Sequence, residues 1–395
     1  KQWYQRRVHG NARLAKRLGL GSRLPSTIYQ SLVFGADKIS WPENKRRAAW
    51  WAVPDSPLPR WAFGPQTDSG RFRDHNRPRF LNSGTIMGPV KDAIALFAAT
   101  QKRIASAEAD APISDQYHMA NIWAEQEYAR TQMMSKPLVV THKEVWIAES
   151  FDGHGHAEDI TLDVPDLDPD RNYEYHITLD YESRMFQTVA YYWKYLGWFR
   201  HRHANRTSAD LASPDIPADR TSQASRDHQR LYLPDDISRS AAPFDSIETS
   251  INPKLKLQDP SRQHVLTSQE IPVQRPSWTD VLLGTNTVTG QIFPILHFTP
   301  PKELLETWWT NMWFFPYGEA VLRSIPAKIN DTVLATTVDG RVWKSWVRPE
   351  SNTQLGQDVA VGGWSAKGNW LKWPELCSAE FESIVFGNHR RAESP

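Results

Sequence analysis

Between about residues 203 and 276 the apolar periodicity of this chain stops, and Ser, Asp, Arg, Pro and Gln take over. A stretch of that composition buries too little apolar surface to offset its ordering entropy, so it reads as a disordered or loosely held insertion. Whatever folds must therefore be assembled from the segments on either side. The chain divides into a core segment at 1–202, the insertion at 203–276, a second core segment at 277–325 and a Trp-rich extension at 326–395.

In the flanks, β-prone runs alternate with helical ones. Residues 1–20 form a basic helical segment with Leu14, Leu18 and Leu20 among charges. Tyr29–Ala36 reads as a strand, Trp41–Arg79 as a long ordered loop, and Phe80–Met87 as a short strand carrying a turn. Pro89 opens a helix over 90–106 with Ile94, Phe97 and Ile104 on one face. Ser114 is a good N-cap for a helix reaching Arg130. Ile160–Arg171 is an acidic loop, Tyr173–Leu179 alternates like a strand, and 186–200 looks helical and aromatic. Gln291–Phe298 is strand-like and Lys302–Arg323 is a Trp-rich helical segment. This order predicts an α/β fold with a mostly parallel sheet, whose ligands sit at the carboxyl ends of its strands.

Charge is balanced, with 46 Lys plus Arg against 45 Asp plus Glu, so nothing recommends nucleic acid or an anionic membrane as partner. The single cysteine, Cys377, cannot form an intrachain disulfide, which excludes a disulfide-stapled scaffold. No run of 18 apolar residues occurs, so membrane attachment would need an anchor outside this chain. The triplets Asn205-Arg-Thr and Asn330-Asp-Thr would suit a lumenal protein. The chain holds 18 Trp, 12 Tyr and 15 Phe, and aromatic faces stack on sugar and base rings, although core packing is the commoner fate of any one of them.

Three constellations could carry chemistry. Asn82-Ser83-Gly84 ends a strand in small polar residues that let a ligand approach the backbone. Ser114-Asp115-Gln116 sets a carboxylate at a helix start, where the dipole favours its ionised form. His297 ends an apolar strand, with Thr299 and Lys302 close behind: an imidazole for a metal and an ammonium for a diphosphate. Asp166-Leu167-Asp168 has a metal-binding pattern but lies in an acidic Pro loop. His154/His156 and His201/His203 sit in polar loops and read as surface histidines.

The order of the motifs is itself informative. Val33-Phe-Gly-Ala-Asp-Lys-Ile-Ser-Trp41-Pro42, Phe80-Leu-Asn-Ser-Gly84, Ser114-Asp-Gln116, Ile177-Thr-Leu-Asp-Tyr-Glu-Ser-Arg-Met-Phe-Gln187 and Ile295-Leu-His297 follow one another. This series resembles the glycosyltransferase domain of procollagen lysyl hydroxylases (procollagen galactosyl/glucosyltransferase type). Closer still is the resemblance to fungal proteins with such a domain, which share Val53-Pro-Asp-Ser-Pro57 and Trp308-Trp309. It covers about 30–135 and 172–325.

The resemblance implies a type-A glycosyltransferase fold, Rossmann-like in character. It implies a UDP-sugar donor, a Mn2+-type cofactor and a protein or glycan hydroxyl as acceptor. His297 maps onto a metal ligand, Trp41 onto a tryptophan near the sugar, and Asp115 onto the second acid of an Asp-Asp-Gln triplet whose first position is Ser114 here. With Trp41 and Asp115 as catalytic candidates, Asn82, Ser83, Gly84, Gln116, Asp180 and Lys302 are the candidate donor-binding residues. The family's Asp-x-x-Asp metal element has no counterpart ahead of the Phe-Gly-Ala strand and would lie before Lys1, so residues 1–395 alone are expected to transfer little. A secretory-pathway location, Golgi or ER lumen, accompanies that family. The rival expectation is a non-catalytic glycan- or nucleotide-sugar-binding protein, or a wall-associated one, on a degenerate form of the fold. It is favoured by Ser114 and by Phe298 where the family often has glycine.

Overall fold

The structure is a computed structural model. It describes residues 2–20, 24–107, 112, 114–134, 142–148, 155–201, 233, 237, 277–315, 333–336, 342–344, 362–365, 369–378 and 381. The expected insertion at 203–276 lies outside the described residues apart from Leu233 and Ile237, as does most of the 326–395 extension.

The order of elements through the core is α1 (Gln2–Arg17), β1 (Leu32–Asp37), α2 (Ala48–Trp51), β2 (Phe80–Met87), α3 (Val90–Ala105) and α4 (Asp115–Gln132). After these come β3 (His142–Ala148), β4 (Gly155–Thr161), β5 (Ile177–Asp180), β6 (Phe186–Thr188), β7 (Leu196–Phe199), β8 (Leu283–Asn286), β9 (Gln291–Ile292), β10 (Ile295–His297) and α5 (Leu304–Trp309). Strand β1 is buried along its whole length, as an apolar run at the centre of a sheet must be. It lies between β2 and β5, and β10 pairs with β6. Leu32, Phe34, Leu81, Leu96, Ile122, Trp123, Ile177 and Leu179 pack into one core between this sheet and the helices.

The sheet is mixed. β1 runs parallel to β5 but antiparallel to β2, against the mostly parallel expectation. A parallel neighbour needs a substantial crossover, usually a helix. The β1–β2 connection offers only the single turn of α2, a 3₁₀ turn at Arg73–His75 and an ordered loop. That loop is stitched by arginines. Arg47 donates to the Pro42 carbonyl at 3.0 Å and to Asn121 Oδ1 at 2.8 Å, and Arg77 donates to the carbonyls of Ser56 and Leu58. Lys38 is fully buried among Phe63, Tyr192 and Tyr195 and donates to the Asp74 carbonyl.

Four sequence expectations need correction. Ile94, Phe97 and Ile104 of α3 do not face the core: they are 62%, 45% and 48% exposed, while Leu96 and Thr100 are buried. The small Ala93 and Ala99 pack beside Leu96 on the inner face and permit a close approach that larger residues would prevent. Strand β5 starts at Ile177, not Tyr173. His176 has φ of 62°, and the amides of Tyr175 and Ile177 both donate to Gln126 Oε1 instead of to a strand. Residues 186–200 hold β6, a 3₁₀ turn at Trp193–Tyr195 and β7. Aromatic and β-branched residues lose side-chain freedom in a helix, and Tyr191 at φ of 61° interrupts one. The Gln291–Phe298 strand is split at Pro294, which has no N–H for a ladder.

Candidate functional site

The site grows from an irregularity in the β1–β2 pairing. Phe34 is paired with Ile86, but the next residue, Gly35, is paired with Asn82, so Ser83, Gly84 and Thr85 are looped out of β2. The Gly35 N–H, deprived of a ladder partner there, donates to Thr85 Oγ1 at 3.1 Å. On its other side Gly35 is paired with Asp180. The register therefore sets Asn82, Gly35 and Asp180 in one row across the sheet.

Asn82 is buried and its amide is used at both ends. Nδ2 donates to Asp37 Oδ2 at 2.9 Å, and Oδ1 accepts the Gly84 N–H at 3.0 Å. His297 Nδ1 lies 3.0 Å from the same Oδ1. The imidazole rests directly on Gly84, where a Cβ would stand 2.0 Å from Cε1 and 2.5 Å from Nε2. Only glycine leaves room for this ring. His297 is brought here by β10, which runs parallel to β6 with His297 opposite Thr188. Partial burial lowers the His297 pKa below the usual imidazole value, and the nearby Lys302 lowers it further, so the ring is neutral at physiological pH. Lys302 is exposed and donates to the Phe298 carbonyl. Gln116 joins from the first turn of α4, where its Oε1 accepts the Ser83 N–H at 3.2 Å.

Sequence reasoning passed over Asp37. The signal was available, since a carboxylate ending a wholly apolar strand cannot be an ordinary surface residue. It is buried, and Thr188 and Gln116 stand near its carboxylate, but Oδ1 and the Thr188 Oγ1 make no hydrogen bond of good geometry. Desolvation raises its pKa to about 6, while Asn82, Thr188 and Gln116 pull the other way. The folded value lies above the unfolded one, near 4. Its stabilising contribution is thus complete below about pH 4 and lost as pH rises through about 6. Asp37→Asn is therefore expected to gain on the wild type between pH 4.5 and 7.5, by about 2 kcal/mol. Urea unfolding at the two pH values checks this; parallel behaviour of the two proteins would contradict it.

Of the sequence candidates, Asn82, Ser83, Gly84, Gln116 and His297 come together. Asp180 does not offer its carboxylate to an open surface. It is buried, and Oδ2 accepts the N–H groups of Met185 and Phe186 at 2.7 and 3.0 Å, fixing the β5–β6 turn. Asp115 is exposed at the start of α4, and Ser114 occupies the N-cap position without a side-chain capping bond. Trp41 is 57% exposed, so it is not a core tryptophan. Asp166 and Asp168 are exposed loop residues, and Asp168 Oδ1 caps the Asp170 N–H. His156 is exposed, whereas His154 and His203 lie outside the described residues. His201 corrects its surface reading: it is buried, with Nε2 3.0 Å from Thr285 Oγ1.

Among the described residues no group of three or more His, Cys, Asp and Glu side chains is arranged to hold a metal. The fit to a divalent cation thus rests on one side chain, the neutral imidazole of His297. No family model matches this chain, and no curated protein or solved structure is similar enough to match it.

Proposed function

We propose that this chain is the catalytic region of a type-A glycosyltransferase that moves a hexose from a UDP-sugar to a protein or glycan hydroxyl with the help of a divalent metal. One observation supports this above the rest. Residues chosen from three distant segments, Asn82-Ser83-Gly84, Gln116 and His297, meet at one bulge beside β1. His297 would give the metal one nitrogen, with diphosphate oxygens and donors other than the described side chains completing the shell. A bound divalent ion would offset charge on the leaving diphosphate. Gly84 makes room for the His297 ring, and the exposed Trp41 ring is available to stack on a sugar.

Thermal melts with UDP, GDP and ADP, each with and without Mn2+, test the reading. UDP with Mn2+ should raise Tm and the other nucleotides should not; an equal response to all three, or to none, would contradict it. The non-catalytic alternative draws on the missing three-ligand cluster among the described residues. It predicts the same UDP response without release of UDP from a UDP-hexose in the presence of acceptor glycans.

Trp41→Ala should cost at most about 0.5 kcal/mol of stability, as expected for an exposed residue, rather than the roughly 3–5 kcal/mol of a core tryptophan. It should nevertheless weaken UDP-hexose binding severalfold while leaving UDP binding unchanged. A melt beside the two titrations separates the effects, and unaltered UDP-hexose affinity would remove Trp41 from the site.

A further inference from the structure

The hydrogen bonds around Asn82 contain more information than their lengths. A backbone N–H can only donate, so the Asn82 atom that meets the Gly84 N–H must be its oxygen. The opposite end of the amide meets Asp37 Oδ2 and must be the NH2 group, because an ionised carboxylate only accepts. The orientation of this amide is thus dictated from both sides. Its oxygen in turn can only accept, so His297 Nδ1, 3.0 Å away, must carry the hydrogen. A neutral imidazole has one such hydrogen, which leaves the lone pair on Nε2.

We infer that Asp37 and Asn82 are positioning residues that hold His297 as its Nδ1–H tautomer and so present Nε2 to a divalent cation. This rests on the reading of His297 as a metal ligand. Histidines that bind metals commonly give their other ring hydrogen to a carboxylate or carbonyl, which fixes the ring and its tautomer. Here the carboxylate acts through an intervening amide. Asp37 is buried; one oxygen engages Asn82, and the other, with Thr188 and Gln116 near, makes no hydrogen bond of good geometry. A buried, half-satisfied carboxylate is costly to folding. Its position is explained if its task is to orient Asn82. Gly84 completes the device, since a side chain there would collide with the ring face that includes Nε2.

The experiment is a long-range 15N–1H correlation spectrum of the full chain labelled in histidine, at pH 8, with His297 assigned by its loss in His297→Ala. The wild type should show the Nδ1–H pattern; the Nε2–H pattern would overturn the inference without any variant being made. In Asn82→Ala the ring should shift toward Nε2–H, the form a free imidazole prefers, and Mn2+ affinity in the presence of UDP should fall about 10- to 100-fold. A folded Asn82→Ala that keeps the Nδ1–H form would also overturn it. Selective broadening of the His297 signals by Mn2+ with UDP is expected. Its absence beside an intact Nδ1–H tautomer would uphold the positioning pair and overturn the metal reading, so the two failures are distinguishable.

Discussion

Replacing Arg130 by methionine is expected to destabilise the fold by about 3–5 kcal/mol. Arg130 is almost wholly buried and links three parts of the chain. Nη1 donates to Glu127 at 2.6 Å, Nε and Nη2 hold Glu174 in a fork at 2.8 and 2.5 Å, and Nη2 reaches the Tyr29 carbonyl at 3.3 Å. Arg17 of α1 closes on the other oxygen of Glu127. Methionine would fill much of the volume but leave two carboxylates short of a cation in a dry region. Such a loss is costly even where the intact pair adds little. Burial by itself would raise the Glu127 pKa, but Arg17 and Arg130 outweigh it and hold it below its usual value. The stabilisation from Glu127 is therefore present above the ordinary carboxyl range and lost as pH falls through its folded pKa. Urea unfolding at pH 7 measures the cost of Arg130→Met, and a loss under about 1 kcal/mol would show that the network contributes little.

Gly84→Ala should have the opposite profile, with little loss of stability and a large loss of function. Gly84 is exposed, and its φ lies outside the left-handed region, so backbone strain is not the issue. Space is the issue, because the new Cβ would fall 2.0 Å from His297 Cε1. The half-buried ring can swing aside, which gives up its bond to Asn82 at a net cost of about 1 kcal/mol. Metal-dependent UDP binding should then weaken at least about tenfold, since the imidazole no longer stands where the site needs it. Titration of UDP in the presence of Mn2+ checks this; unaltered affinity would mean that His297 binds nothing at this place.

The elements that position the site were legible where one physical signal dominates. The apolar run that became β1, the strand that became β2 and the helix that became α4 lie within a few residues of their expected places. His297 and Asn82-Ser83-Gly84 could be singled out because an imidazole at a strand end and small polar residues at a bulge are unusual choices for packing alone. Their meeting could not be read, since it depends on a three-residue slip in the β1–β2 register and on β10 pairing with β6. Asp37 was missed although its place at the end of an apolar strand signalled burial, because attention went to residues beyond the strand ends. Asp180 was read as a donor-binding residue because it lies in the Leu179-Asp-Tyr…Phe-Gln187 block that carries the resemblance; the two turn amides it accepts from lie five and six residues further on. The outer face of α3 misled for a related reason. Apolar periodicity marks a stripe, but which stripe packs inward is decided by the small residues that allow close approach, here Ala93 and Ala99.

In the proposed function, His297 is the side chain through which this chain would hold a metal-bound UDP group. Calorimetric titration of Mn2+ and UDP into the wild type, His297→Ala, Asp166→Ala and Asp168→Ala tests it most directly. UDP binding is expected to require Mn2+, whatever its strength, to be abolished by His297→Ala at a cost of only about 1 kcal/mol in stability from the lost Asn82 bond, and to be retained by both aspartate variants. Normal metal-dependent binding by His297→Ala, or its loss in either aspartate variant, would contradict it.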